Sequence, residues 1–317
     1  MLKSNNLTAA ILGLVAFAFF STHDVFVKQL GEIYHPVQIV FFATLLSFPI
    51  ITIELIFEQK PGHLRPIHPW WVLLRSISVP VSAISAFFAF TLLPLAEVYA
   101  FIFASPIIIT LLAIPILGER IGMARFIAIA IGLAGVLVVL RPGVSEFGFG
   151  QIAALVAAFT GSLNAIIARK IGREERSVVL ILYPLLGNLL ITAILLPFVY
   201  DPIALIDLGR LALVGFLLVC AMGIMVLAYS KGDAVAVAPM QYSQMIWATI
   251  FGHYVFNEWP DQMTIIGSII IAVSGLLIVL RESLGSRSAN QPVSKTRTRL
   301  GLAISLRVGN MIRRRKN

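Results

Sequence analysis

Ten stretches of this chain are apolar for about the length that a helix needs to cross a hydrocarbon layer, roughly 20 residues. They run approximately over 7–28, 36–56, 70–91, 95–117, 124–140, 149–169, 178–199, 210–229, 236–256 and 262–280. Some connections are as short as Leu92-Leu93-Pro94. No soluble domain fits into such a link, so the flanking runs must pair as antiparallel hairpins. Closed β-barrels are excluded, because the runs are too long and lack period-two alternation. Of the 317 residues 59% are hydrophobic and 12% charged, with mean hydropathy +0.94. A soluble domain carries roughly 25% charged residues. The expected fold class is therefore an all-α membrane protein.

The formal net charge is +9 and the pI about 10.0. Much of that excess lies after Arg281, in a tail ending Arg-Arg-Arg-Lys-Asn. Beside so apolar a body it points to anionic lipid rather than nucleic acid. Within the tail, Leu300, Ile304, Val308 and Met311 could share one face of a surface helix, with disorder as the alternative. The single Cys220 cannot form an internal disulfide and reads as a small core residue. Lys3 and Ala16-Phe17-Ala18 resemble a secretory signal, but the first run has a mid-chain twin and is expected to stay as a span. With the N-terminus placed in the cytoplasm and the tail left out, ten Lys and Arg residues fall on the cytoplasmic side. Three, Lys28, Arg141 and Arg210, fall opposite. That bias places both termini in the cytoplasm of a bacterial inner membrane protein.

The two halves match. Leu93 to Glu119 aligns without a gap with Gly232 to Glu258, 139 residues on, and Gly135 to Arg141 matches Gly275 to Arg281. Leu14 to Gly31 matches Leu155 to Gly172, pairing Ser21 with Ser162, His23 with Asn164 and Lys28 with Arg169. Five spans per copy is an odd number, so the second copy enters the membrane from the opposite side. The expected architecture is ten transmembrane helices as two inverted five-helix repeats around a central cavity. The first repeat covers 1–143, the second 144–282, and a basic cytoplasmic tail 283–317. Inverted repeats are typical of secondary transporters, whose sites lie near the midplane between the repeats.

"LAEVYAFIFASPIIITLLAIPILGERI", "APMQYSQMIWATIFGHYVFNEWPD" and the five-plus-five layout resemble the EamA-type members of the drug/metabolite transporter superfamily, over about residues 7 to 282. Gly118-Glu119 and Asn257-Glu258 match the family's helix-end acidic motif. "HDVFVKQLG" with "FNEWPD" resembles the branch that includes S-adenosylmethionine and riboflavin uptake carriers. The resemblance implies a ten-helix permease with a central cavity. It also implies that the fifth and tenth spans lie away from that cavity, where the small-residue steps Ala128–Gly132 and Ser268–Ala272 allow close packing or a homodimer contact.

Ionisable or amide side chains inside a span are costly and so mark candidate sites. The residues singled out for substrate are His23, Asp24, Arg75, Tyr99, Ser105, Asn164, Gln241, Tyr242, Gln244 and Trp247, with Glu97 as a coupling candidate. His23 and Asp24 read either as a wet face of the first span or as its polar end. Asp24 and Lys28 are four apart and could pair. Arg75 suits an anionic substrate group or helix-end carbonyls. Ser76, Ser78, Ser82 and Ser85 suit packing better than binding. Glu97 could exchange protons or complement a helix N-terminus, while Glu119 and Glu258 suit structural roles. Gln241 and Gln244 share a helix side with an aromatic neighbour, Trp247, which suits a flat hydrogen-bonding metabolite. His253, Tyr183, Asn188 and Tyr229 are weaker candidates. Pro80, Pro106, Pro115, Pro184 and Pro239 loosen their spans as bends or hinges.

No metal-ligand spacing, phosphate loop or nucleophile elbow is present, so neither a metal nor a cofactor is expected. No ring of like charge suggests a channel. The leading expectation is a secondary membrane transporter, not an enzyme, moving a small organic metabolite by alternating access. The alternative is a multi-span membrane enzyme acting on a lipid-linked substrate, which would need acid, base or metal ligands gathered at one membrane face.

Overall fold

The computed structural model describes residues 2–56, 64–118, 123–141, 148–172, 174–232 and 237–284. The expected repeat boundary at 143–144, Glu119 and the tail beyond 284 lie outside the described residues. The described elements are all helical: α1 (Leu2–Gly31), α2 (Pro36–Ile56), α3 (Pro69–Leu92), α4 (Leu95–Ile102), α5 (Ser105–Leu117), α6 (Met123–Leu140), α7 (Phe149–Ile171), α8 (Ser177–Leu195), α9 (Leu205–Lys231), α10 (Ser243–Phe256) and α11 (Gln262–Leu284). Short 3₁₀ turns cover Leu196–Phe198 and Ala238–Tyr242. Six helical segments are long and apolar enough to cross a membrane, α4 and α5 counting together, and three apolar helices are shorter.

The distribution of side chains is that of a protein dissolved in lipid. Large apolar residues such as Phe126, Leu137, Leu190, Ile194 and Ile269 face outward, while Ser21, Asp24, Lys28, Arg75, Asn164 and Gln244 are buried. Groups such as Asp24, Lys28 and the Arg75 Nη1, which would be orphaned in hydrocarbon, find partners inside the bundle. The chain is an integral membrane protein, and its helices meet across the halves of the sequence. α1 packs along α9, α3 along α7 and α6 along α11, with α3–α8 and α2–α9 as further crossings.

These crossings rely on small residues, because without a solvent-driven hydrophobic term between helices close van der Waals fit carries the association. Gly135 of α6 and Gly267 of α11 face each other backbone to backbone. A Cβ on Gly135 would lie 3.0 Å from the Gly267 carbonyl oxygen, and one on Gly267 would lie 2.8 Å from that of Gly135. Ser274 of α11 donates to the Ala128 carbonyl at 2.5 Å, and a Cβ at Gly132 would meet Ile107 and Ser274. Ala128 and Gly132, read as a close-packing step, thus serve the α6–α11 contact within one chain. Gly187 of α8 lies against α3 and Gly215 of α9 against α2, their would-be Cβ atoms 2.6 Å and 2.9 Å from the carbonyl oxygens of Ser76 and Ala43.

The helix-end motif has a local reason at both copies. Gly118 ends α5 at φ 70°, and Asn257, its counterpart, ends α10 at φ 54°. Both are left-handed caps, where glycine and asparagine are the residues that fit best. Their N–H groups return to the carbonyls of Ile114 and His253, and that of Glu258 to Gly252.

Replacing Gly187 with Ala would drive a Cβ into a backbone oxygen that cannot move independently of α3. The expected cost is about 1–3 kcal/mol, read as a lowered Tm of the detergent-purified protein. Gly209→Ala, where nothing lies within 4 Å of the added carbon, should leave Tm unchanged. Equal melting of the two variants would contradict the tight α3–α8 crossing.

Candidate functional site

Two apolar runs that read as continuous spans are broken. α4 ends at Ile102, Phe103 and Ala104 form a turn, and α5 restarts at Ser105 with Pro106 in its first turn. In the second half the 3₁₀ turn Ala238–Tyr242, with Pro239 near its start, gives way to α10 at Ser243. A proline lacks the N–H that would continue the ladder, so the interruption has a sequence cause in each copy. Phe103 and Tyr242 are 139 residues apart, the register of the internal match, and their rings meet edge to face at 5.2 Å. Gly275 of α11 leaves the space that the Tyr242 hydroxyl fills. The two breaks therefore abut.

α1 delivers its polar residues beside this junction. Nδ1 of His23 lies 2.7 Å from Oδ1 of Asp24, and the Tyr99 hydroxyl donates to Oδ2 of Asp24 at 2.5 Å. Ser21 Oγ is 3.4 Å from the same hydroxyl, and the Gln244 side chain also interacts with it. Every member of this set is buried. Aromatic rings enclose it: Phe90 and Phe103 against Tyr99 at 5.8 Å and 6.3 Å, and Phe87 edge-on to His23 at 6.0 Å. The two oxygens of this carboxylate are thus held by the Tyr99 hydroxyl and the His23 ring. It also offers a positive or hydrogen-bonding ligand a strong acceptor in a low-dielectric surround.

Asp24 does not pair with Lys28. Lys28 turns to the bundle end, where Nζ donates to the Leu93 carbonyl at 2.6 Å and meets Glu258 Oε1 at 2.8 Å, over the Phe256 ring. Glu97 lies at the same end, its Oε1 accepting from Gln151 Nε2 at 3.2 Å, while Gln151 Oε1 accepts from the Gly148 N–H. An Arg141–Asp261 ion pair adds a third tie between the halves. At the opposite end His68 Nε2 meets Glu174 at 2.5 Å and its N–H donates to Glu175 at 2.6 Å. Lys170 there donates to the Ile116 carbonyl and lies over Trp71. Both ends are thus tied across the two halves, with the polar cluster between them.

The remaining candidates fall in three places. Arg75 is fully buried. Its Nη1 donates to the Asn164 carbonyl at 3.0 Å and its Nε to that of Leu180 at 3.3 Å, so it staples α3 to α7 and α8. Nη2 of Arg75 and Oδ1 of Asn164 have no protein partner. Ser105 opens α5 and its carbonyl accepts from Ser162 Oγ at 3.4 Å. Gln241 is half-buried on the 3₁₀ turn, and Trp247, one turn into α10, stacks on Phe251 at 6.0 Å. Sequence reasoning left Ser21 and Phe103 out of the site. Each had a signal in its repeat partner, Ser162 for Ser21 and the candidate Tyr242 for Phe103, although a phenylalanine in an apolar run by itself is indistinguishable from lipid-facing surface. The Lys28–Glu258 tie joins residues 230 positions apart in sequence and had no local signature.

Comparison with known proteins gives this geometry a family. The chain is 26% identical over 288 residues to the S-adenosylmethionine uptake transporter of Rickettsia prowazekii, covering 88% of this chain and 95% of the relative. It is 26% identical to the riboflavin transporter of Rhizobium johnstonii, covering 76% and 78%. It is 22% identical to the pseudopaline exporter CntI of Pseudomonas aeruginosa, covering 84% and 94%. A solved crystal structure at 19% identity shares the fold with a TM-score of 0.60, over 89% of this chain and all of the other. Each named relative is a transporter or exporter, which leaves the membrane-enzyme alternative without support. The profile of the EamA-like transporter family matches twice, over residues 7–141 and 148–280, and the chain belongs to that family of membrane transporters.

Proposed function

We propose that the chain is a secondary carrier that takes up a small organic cation bearing a flat ring, of the S-adenosylmethionine kind, by alternating access. Its ten spans form two inverted five-helix repeats, 1–143 and 144–282. The basic tail 283–317 is assigned to the cytoplasmic side by its charge. Both termini lie in the cytoplasm of an inner membrane protein, and a homodimer contact is open to the outer faces of the bundle.

The observation that carries this reading is the abutment of two broken helices at equivalent positions, with a buried carboxylate beside them. Discontinuous helices near the midplane are where transporters bind substrate. Reciprocal packing of α1 on α9 and α3 on α7 supports two halves with interchangeable roles, which is what opening first one side and then the other requires. Ties at both bundle ends suit a closed intermediate between those states, since each opening breaks one set and keeps the other.

Roles follow from chemistry. Asp24, buttressed by His23 and Tyr99, neutralises the positive group. Tyr242, Phe103 and Trp247 provide ring surfaces, and the side-chain amides of Gln241 and Gln244 provide hydrogen bonds to ring heteroatoms. Ser105 and Asn164 line the opposite wall, with Arg75 holding α3, α7 and α8 in register behind it. A cationic sulfonium compound fits this set better than neutral riboflavin, because the cluster around Tyr99 holds the Asp24 carboxylate, while the Arg75 guanidinium is turned to carbonyls of α7 and α8.

Proteoliposomes holding the purified protein are expected to accumulate labelled S-adenosylmethionine saturably and above protein-free liposomes. Uptake of riboflavin alone would keep the carrier reading and replace the substrate. Gln244→Ala and Trp247→Ala should each weaken S-adenosylmethionine binding about tenfold, for a lost buried hydrogen bond or ring contact of about 1.4 kcal/mol. Melting of the ligand-free variants should stay near wild type. Wild-type affinity in both variants would remove α10 from the site.

A further inference from the structure

Arg75 carries a positive charge into the bundle and meets no acid there among the described residues. Lys28, Arg141 and Arg210 each meet a carboxylate, those of Glu258, Asp261 and Asp207. Arg75 is fully buried, and its bonds go to the neutral carbonyls of Asn164 and Leu180. The same three helices share an apolar cluster that includes Val72, Ile167 and Val179. Glu174 and Glu175, at that end of the bundle, are taken by His68. Asp24 is out of range. Gly31 of α1 lies against Thr91 of α3, and counting 1.5 Å of rise per residue back along each helix puts Asp24 and Arg75 roughly 14 Å apart in depth.

An unneutralised charge in a low-dielectric interior is costly, and carbonyl dipoles offset only part of the cost. A guanidinium presents its N–H donors in a rigid fork. Nη1 and Nε are used, but buried Nη2 has no protein partner. Nor has Oδ1 of Asn164, the residue whose carbonyl receives Nη1. A small anion against Nη2 resolves both deficits. It supplies the missing charge and accepts the spare N–H. A half-turn of the Asn164 amide exchanges its oxygen for its nitrogen, which then donates to the same anion. A water molecule also bridges the two atoms but brings no charge. One guanidinium calls for one negative charge, so a halide or a single carboxylate group fits better than phosphate or sulfate. The donors are held in place by a rigid crossing, since Gly187 of α8 lies against the backbone of Ser76, beside Arg75.

We propose that Arg75, with Asn164, binds a small monovalent anion, a halide or a single carboxylate group, between α3, α7 and α8. The site is separate from the Asp24 cluster and does not depend on the substrate assigned to it. A bound anion holds α3 of the first half to α7 and α8 of the second. A free halide and the carboxylate of an amino-acid-bearing substrate share this chemistry. The depth between Arg75 and Asp24 favours the free anion over the carboxylate of a ligand already held at Asp24.

Melting of the detergent-purified, substrate-free protein tests the site. Gluconate, too large an anion to fit, is replaced stepwise by chloride at constant ionic strength. Tm is expected to climb by a few degrees once chloride exceeds its dissociation constant. Bromide should reproduce the rise, and Arg75→Gln should abolish it. Equal melting in gluconate and chloride, or an equal rise in Arg75→Gln, overturns the proposal. Should Arg75→Gln fail to fold, Asn164→Leu decides, because it keeps the backbone carbonyl that receives Nη1. The chloride concentration at which the rise begins should then increase about tenfold, for one lost hydrogen bond to a charged group. An unchanged onset overturns the proposal. The source of the anion is read from S-adenosylmethionine affinity in gluconate and in chloride. Affinity that is equal or higher in chloride identifies a free anion. Affinity lowered by chloride in wild type but not in Arg75→Gln identifies the substrate's own carboxylate. Absence of S-adenosylmethionine binding counts against the substrate reading alone, because the chloride titration contains no substrate.

Discussion

In hydrocarbon a polar group has no solvent to fall back on, and that single constraint organises this molecule. Backbone groups close within helices, and every polar side chain carried into the bundle needs an internal partner. Ser76, Ser78, Ser162 and Thr192 solve this locally, by donating to carbonyls three or four residues back. Arg75 solves it at a distance, across two other helices. Asp24 solves it through its neighbour His23 and a tyrosine 75 residues away. The first group costs little and says little about function. The last gathers a charge, an imidazole and a phenol into one buried set, and such an arrangement is seldom retained without a task.

Rigidity and movement are divided in the same economical way. α6 and α11 touch backbone to backbone through Gly135 and Gly267, which leaves no slack between them. α4–α5 and the 3₁₀ turn leading into α10 are interrupted, with prolines at both breaks. Interrupted helices can change their bend without breaking long hydrogen-bond ladders. The closing ties at the two bundle ends are ion pairs and single hydrogen bonds, reversible contacts suited to a protein that must open each end in turn.

Much of the fold was legible in the linear pattern. Helix length follows from membrane thickness, so the apolar runs located helical segments, although the runs 95–117 and 236–256 are interrupted rather than continuous. The caps at Gly118 and Asn257 were visible as a repeated two-residue motif, because left-handed backbone restricts the choice of residue. The candidate site was legible only where a polar side chain interrupts an apolar run, as at His23, Asp24, Arg75 and Gln244. Phe103 was marked only by its repeat partner Tyr242, because hydrophobicity does not distinguish a site wall from a lipid-facing surface. Glu97 stood out as an acid near a span, yet its partner is Gln151 at the bundle end.

The sequence by itself determined the solvent, the helical class and the internal duplication, since these depend on composition, run length and register, all properties of neighbours along the chain. Which polar residues share one cluster was decided only in three dimensions. Lys28 could have reached Asp24 one turn away on α1 but goes to Glu258. Asp24 instead receives Tyr99 from α4, with α2 and α3 between them in the sequence. Spacing along a helix sets which partners are within reach. The packing of α4 and α10 against α1 sets which of them is present, and in a medium without water the partner that is present takes the bond.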